Sequence, residues 1–560
     1  SAASFISQIV TDDFDGQTRS SNTPVDVGAD AGMFTAADLF PPSIVYTPFS
    51  NSGIAATRSV GNIGITDVSG VNTGAFAPRL YYKKASDNNA VVGNSSADNG
   101  WKFVTATTTT SPFSFTIDYT ILTGGAASIG DVIQYFVVAQ DLASTPNVGA
   151  NVAQFSSNPS SVVLGAVQAP ITGSVNSYTI APTFAGTVNV GQGQAYPCLT
   201  CEGGLFQAIN NAGVLSGNLT VNITSDVTTE TGLYSLNQWL EDGVGGYGIR
   251  IVPSAAVSRT VSGAFPAPGQ FPAIQGALIR FNAVSNVVVD GRFNGSGSFL
   301  TFTNTNNFTQ NIGTFQYISN GVNQGCTNDT IRNCTISTGS NVNTTFAVYL
   351  AGNFGSNTSL STAPSGLSIG LDHRNLAFID NTIQQAQYGI FGRSFNNLPA
   401  SIFKGLLISG NRFGSSDNSA TISLRPIDIQ GADGMRITNN TITNVYTSLL
   451  GTAPIGIELG TWVINSSITR NVICGVTSAF QSPVGVYGID FVSSVGVFND
   501  TVANNAVSGL TSVGFNDPVT SVVAGIRLNQ SQNIRVYHNT VNLTGSFLST
   551  NAANSVAFLA

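Results

Sequence analysis

Three acidic residues, Asp428, Glu458 and Asp490, each sit at the centre of a short apolar phrase: Ile427-Asp428-Ile429, Ile457-Glu458-Leu459 and Ile489-Asp490-Phe491. In a strand the central side chain points away from its two neighbours. The same phrase recurs around Arg280, Tyr349, Phe391 and Arg527. If successive phrases stack as neighbouring strands, the carboxylates lie about 4.8 Å apart. Carboxylates that close either raise one another's proton affinity or hold a cation. A pair about 5 Å apart is also the spacing of retaining glycoside hydrolysis. Asp428, Glu458 and Asp490 are therefore the candidate catalytic residues. Tyr349, Phe391 and Arg527 beside them are the glycan-binding candidates. The competing reading is a solvated strand face whose polar positions happen to be acidic.

The stacking is itself written in the sequence. Asn333, Asn381, Asn411, Asn440, Asn471, Asp500 and Asn539 fill one slot of the repeated phrases RNCTI, DNTI, GNRF, NNTI, RNVI, NDTV and HNTV. The slot returns at about thirty-residue intervals, which marks a solenoid whose units are single coils. A short polar side chain there tolerates a turn and can hydrogen-bond its copy one coil away. The slot phrase and the acidic phrase together put at least two strands in each coil, as in a parallel β-helix. Ile427, Ile429, Ile457, Leu459, Ile489 and Phe491 are its expected inward ladder.

Charged residues make up 9% of the chain, against roughly 25% in ordinary globular proteins. With 42% hydrophobic residues, this composition fits an all-β protein rather than a disordered one. A net charge of −8 and no basic run argue against nucleic acid as a partner. No uninterrupted apolar stretch of about 18 residues offers a membrane span. Ser1 to Thr11 has no basic start of a signal peptide, so the chain reads as a processed protein or a cut piece.

Four segments follow. Residues 1–35 carry Asp12-Asp13-Phe14-Asp15-Gly16 and Pro24 to Asp30. They read as a closing coil and linker, with Asp13 and Asp15 as calcium candidates alongside Asp428, Glu458 and Asp490. Residues 36–166 contain short alternating runs, such as Phe113 to Tyr119 and Val132 to Val138, that predict an immunoglobulin- or fibronectin-like β-sandwich. Residues 167–275 form an entrance with helices expected at 204–209 and 235–241. Residues 276–560 are the β-helix proper.

Cys198 and Cys201 form a CxxC without the second ligand pair that zinc needs. A local disulfide or two free thiols fits better. Cys326 and Cys334 are a second candidate pair, and Cys474 reads as a small buried strand residue. His373 and His538 have no nucleophile nearby in sequence and read as surface residues.

The coils resemble the right-handed parallel β-helix of the pectin-lyase-like superfamily. The wider arrangement resembles very large, adhesin-like surface proteins of Bacteroidetes exported by the type IX route. The residues that carry this likeness are the opening segment from Gly186-Thr187-Val188 to Trp239 and the phrases Asp13 to Gly16 and Asp26 to Asp30. In that family the last two phrases close a β-helix, and none follows Ala560. The resemblance thus implies one period of a tandem array or head-to-tail filament, with copies of itself as partner. It implies an extracellular location, and O-glycosylation at Thr330 and Thr501 in Asp-Thr-Ile and Asp-Thr-Val. A polygalacturonase-like enzyme would want an Asn-Thr-Asp or Gly-His-Gly near the acidic row, and neither occurs. Lyases of the fold want a basic proton acceptor, for which Arg425 and Arg527 are nearest. The sequence therefore points to an extracellular structural or adhesive module without cofactor, calcium apart. A carbohydrate-binding adhesin and a polysaccharide lyase or glycoside hydrolase are the alternatives.

Overall fold

The computed structural model describes residues 11–18, 37–53, 55–211, 213–264, 276–307, 311–350, 372–394, 401–449, 451–480, 484–492, 499–512, 522–529, 532–543 and 555–560. The chain divides into two compact units, Ser1–Pro182 and Thr183–Ala560.

In the first unit, alternation of apolar and polar residues builds two antiparallel sheets. One contains β1 (Ser43–Val45), β2 (Thr57–Thr66) and β5 (Phe113–Asp118). The other runs in the order β8 (Asn176–Thr179), β6 (Val132–Gln140), β3 (Arg79–Lys84) and β4 (Lys102–Thr105), with β7 (Val148–Ala150) also on β6. In β5 every second residue (Phe113, Phe115, Ile117) is buried, and these pack with Ile133, Tyr135 and Val137 of β6. The two antiparallel sheets face one another across this core as a β-sandwich. It does not end at 166. β8 pairs in register with β6, so the chain must return to the sheet edge before the unit closes at Pro182.

The second unit is all but wholly β: a right-handed parallel β-helix, as crossovers between parallel strands dictate. Three parallel sheets run along it. The first extends from Thr183–Val190 to Arg535–Tyr537, the second from Val227–Glu230 to Thr540–Asn542, and the third from Leu236–Asn237 to Ser555–Leu559. Each complete coil thus gives one strand to each sheet. Parallel stacking begins at Thr183, which pairs with Val214, so most of the segment assigned to an entrance is already solenoid. Helix α1 (Leu205–Asn210) covers its end, burying Leu205, Phe206 and Ile209. The second expected helix is absent. Leu236–Asn237 and Leu240–Glu241 are short strands, because Leu236 is drawn into register with Phe281 of the third sheet. Ile427, Ile429, Ile457, Leu459, Ile489 and Phe491 are fully buried in one continuous core.

The slot residues split into two positions. Asn381, Asn411, Asn440, Asn471, Asn505 and Asn539 form an unbroken ladder. Each Oδ1 accepts the backbone N–H of its counterpart one coil earlier, at 2.9–3.1 Å. Asn333 is not in it. Asn333 adopts φ 50°, in line with Asp380, Gly410, Asn439, Arg470, Asn504 and His538, all of which have positive φ. The ladder position of that coil is Cys334, whose N–H donates to Asn381 Oδ1. Asp500 is not in the ladder either, and Asn505 takes its place. Asp500 Oδ1 instead accepts the Ser466 N–H, as Asp329 Oδ1 accepts that of Val287. These two aspartates belong to a separate capping row at the edge of the first sheet.

Candidate functional site

The third sheet aligns Arg280, Gln316, Tyr349, Phe391, Asp428, Glu458, Asp490 and Arg527 as successive register partners. The expected row is therefore present, with Gln316 as a member that the phrase pattern did not reveal. It is not a solvated face. Tyr349, Phe391, Asp428 and Asp490 are fully buried and Glu458 is 7% exposed. The aromatic half packs into an outer apolar cluster of Phe346, Tyr349, Tyr388, Phe391 and Leu424.

The acidic half is matched by three arginines. Arg393 Nη1 donates to Asp428 Oδ1. Arg425 Nε lies 2.5 Å from Glu458 Oε2, and its Nη1 is 3.8 Å from Asp428 Oδ2. Neither of those carboxylate oxygens accepts an aligned hydrogen bond, so Arg425 acts there as a charge. Arg527 grips Asp490 with two bonds of 2.7 and 2.6 Å and reaches Tyr487 Oη at 2.9 Å. Aromatic rings back the guanidiniums: Phe391 lies 4.4 Å from Arg393 and Tyr487 3.8 Å from Arg527. Three carboxylates against three arginines leave no net charge, so the row does not demand the cation or shared proton that bare carboxylates would. Burial, with Asp428 adding, nonetheless pushes Glu458 up to about 7. Burial also raises Asp490, against the pull of Arg527.

The other expected site residues are dispersed. Asp13 Oδ1 accepts the N–H groups of Asp15 and Gln17 in a local turn, and the phrase from Asp26 to Asp30 lies outside the described residues. Cys198 and Cys201 are joined in a disulfide. Cys326 and Cys334 are separate buried thiols and do not pair. Cys474 is exposed rather than buried, because Ile473 beside it takes the inward position. His373 is 1% exposed rather than on the surface. Its Nδ1 accepts the Cys326 N–H, and its ring stacks on Phe403. His538 is exposed. Thr330 and Thr501 are half-buried on the first sheet, next to the buried Asp329 and Asp500.

Two clusters had no sequence signal beyond the residue types themselves. Asp290, fully buried, receives Arg250, Arg292 and Arg332 at 2.7–2.9 Å. Burial alone would raise its pKa, but the three guanidiniums hold it well below the usual carboxylate range. In the sandwich, Asp38, Asp67 and Asp141 bring carboxylate oxygens within 4.8 Å of one another, the one such grouping among the described residues. Asn147 already donates to both oxygens of Asp141.

Burial also pushes Asp500 up to about 7 and raises Asp329. Glu458 and Asp500 thus bind their protons more tightly folded than unfolded. That contribution is complete below about pH 4 and is lost as pH rises through about 7. The thermal midpoint of the β-helix is therefore expected to be higher at pH 5 than at pH 8, each of the two groups contributing about 1.4 kcal/mol for every pH unit between 5 and 7. Melting curves at the two values check this, and a higher midpoint at pH 8 would refute it.

No family model matches the chain, and neither does any curated protein. Among solved structures it is similar to a family 28 exopolygalacturonase of Yersinia enterocolitica, at 10% identity and TM-score 0.28, covering 93% of this chain and 99% of that one. It is also similar to the tailspike protein gp49 of Pseudomonas phage LKA1, at 11% identity and TM-score 0.24, covering 92% and 66%. A third is the catalytic unit of a GH87 alpha-1,3-glucanase from Streptomyces thermodiastaticus, at 12% identity and TM-score 0.14, covering 92% and 98%. The strand register by itself defines the parallel β-helix.

Proposed function

We propose that the chain is an extracellular structural or adhesive module, in which the parallel β-helix acts as a stiff spacer. The observation that carries this reading is the state of the acidic–aromatic row. Its carboxylates are buried and charge-matched by Arg393, Arg425 and Arg527, so the row serves the wall of the solenoid. The Cys198–Cys201 disulfide fits an oxidising exterior. The source class is that of the sequence resemblance, a tandem adhesin-like surface protein of Bacteroidetes exported by the type IX route.

A second reading, action on a polysaccharide, is favoured by Glu458. A buried carboxyl near pKa 7 beside a second carboxylate has the form of a general acid. One experiment separates the two. The chain is incubated with a panel of neutral and acidic polysaccharides, and new reducing ends and unsaturated ends are measured. The structural reading expects neither. Cleavage that disappears in Glu458→Gln while the thermal midpoint holds would overturn it.

A further inference from the structure

Asp290 lies away from the acidic row, in the first sheet, and its charges do not close as those of the row do. Val287 and Val289 take the inward positions of the strand Val287–Asp290, so Asp290 projects from the outer face. It is nonetheless fully buried, beneath Arg250, Arg292 and Arg332. Nη2 of all three reaches one oxygen, Oδ2, at 2.7, 3.1 and 2.8 Å. Arg292 Nε and the Arg292 backbone N–H donate to Oδ1 at 2.9 and 3.1 Å. Among the described residues these arginines form ion pairs with no other carboxylate. Three guanidiniums on one carboxylate leave two positive charges unmatched, where the acidic row leaves none.

The surplus faces water. The side chains of Arg250, Arg292 and Arg332 are 46%, 25% and 32% exposed, so they roof the carboxylate and keep free edges outside. A guanidinium has five N–H donors, and Asp290 takes only one or two from each. The three side chains come from separate places: the strand Ile249–Pro253, the turn after Asp290, and the strand Thr330–Arg332. Asp290 holds them together in advance, so an arriving anion does not have to order them. One further carboxylate bears on the cluster. Arg332 pairs with Ile379 one coil on, and the next residue, Asp380, is exposed. It acts on Arg292 through space without an ion pair and offsets part of the surplus.

We propose that Arg250, Arg292 and Arg332 form a binding site for a tetrahedral oxyanion, the phosphate or sulfate group of a free ion or of an ester. Guanidiniums converging from three sides suit the three oxygens that such a group presents, whereas a carboxylate presents two. The charge suits it as well, since a phosphate monoester carries about −1.5 to −2 near pH 7. The chain as a whole carries −8, so an anion has no general reason to collect on it, and retention has to come from this cluster. The inference goes beyond the proposed function, because the site lies on a different sheet from the acidic row and requires neither a spacer nor cleavage.

The test is isothermal titration calorimetry of the whole chain at low ionic strength with inorganic phosphate, inorganic sulfate, glucose 6-phosphate and galacturonate. Saturable one-to-one binding of phosphate and sulfate is expected, with galacturonate weaker by about tenfold or more. Glucose 6-phosphate separates the sources. Binding as tight as that of phosphate assigns an ester on a larger ligand, and binding of the free ions alone assigns an inorganic anion; either supports the site. Arg250→Gln removes the most exposed guanidinium and leaves Asp290 paired with the other two. Affinity should fall by about tenfold or more, with an unchanged circular dichroism spectrum. Asp380→Asn should act in the opposite direction. Asparagine suits the φ of 54° at that turn, and loss of the nearby negative charge should tighten binding severalfold, which a folding defect does not do. No saturable binding of phosphate or sulfate would overturn the proposal. So would galacturonate binding as tightly as phosphate, or affinities that neither variant moves. Polysaccharide cleavage is measured independently, so failure here leaves the proposed function standing, and the reverse.

Discussion

Replacing Arg393 by Met is expected to destabilise the β-helix by about 3–5 kcal/mol, because it strands a buried carboxylate. Asp428 is fully buried, and Arg393 is its hydrogen-bonding partner. Arg425 cannot take over. It lies 3.8 Å from Asp428 Oδ2 and is drawn to Glu458. Methionine is close in length to the arginine stem and lacks only the guanidinium that lies over Phe391, so the loss reports charge more than volume. The decisive comparison is the double variant Arg393→Met with Asp428→Leu. Removing both ions also removes the desolvation cost, so it should recover at least half of the lost stability. Denaturant midpoints of the two variants measure this. A single variant costing less than about 1 kcal/mol, as for a solvent-screened surface pair, would show that the row is open to water. The structural reading of the site would then lose its support.

The sequence showed the row but not its surroundings, for a physical reason. Alternation fixes which side of a strand a residue faces, and Ile427-Asp428-Ile429 told this correctly. It does not tell whether that side meets water. Arg393 lies two residues beyond Phe391 in the same strand, and Arg425 three before Asp428 in its own. Both looked like scattered arginines until register brought them together. The slot shows the same limit at finer scale. Asn333 and Asp500 fit the repeated phrase, yet each belongs one place or one row away. A left-handed turn residue and a ladder residue are both short and polar, and only register separates them. Asn504-Asn505 was legible and was hidden by the better-looking Asn499-Asp500 five residues earlier. The helix expected at 235–241 failed because tertiary pairing of Leu236 with Phe281 outweighed local propensity. His373 and Cys474 were placed on the wrong sides of the wall. Single residues in loops or in half-apolar strands carry too little periodicity to fix their side.

The Asn ladder gives the second large effect. Asn440→Leu is expected to cost about 3 kcal/mol, the combined penalty of leaving two or three buried polar groups without partners. Asn440 Oδ1 accepts from both the N–H and the side-chain amide of Asn411, at 3.0 Å each. Its own amide donates to Ile408 O and to Asn471 Oδ1, each at 2.9 Å. Leucine has nearly the same volume but can neither accept nor donate, and no water reaches a residue that is fully buried. Asn539→Leu makes the same chemical change in the last described coil. There the site is only partly buried and a single coil depends on it, so the cost should fall to about 1 kcal/mol or less. The gradient matters more than either value, since it separates ladder bonding from a general intolerance of leucine at the turn. If both variants cost the same, the asparagines are held by local turn geometry. If Asn440→Leu costs several times more than Asn539→Leu, the hydrogen bonds along the axis hold one coil to the next.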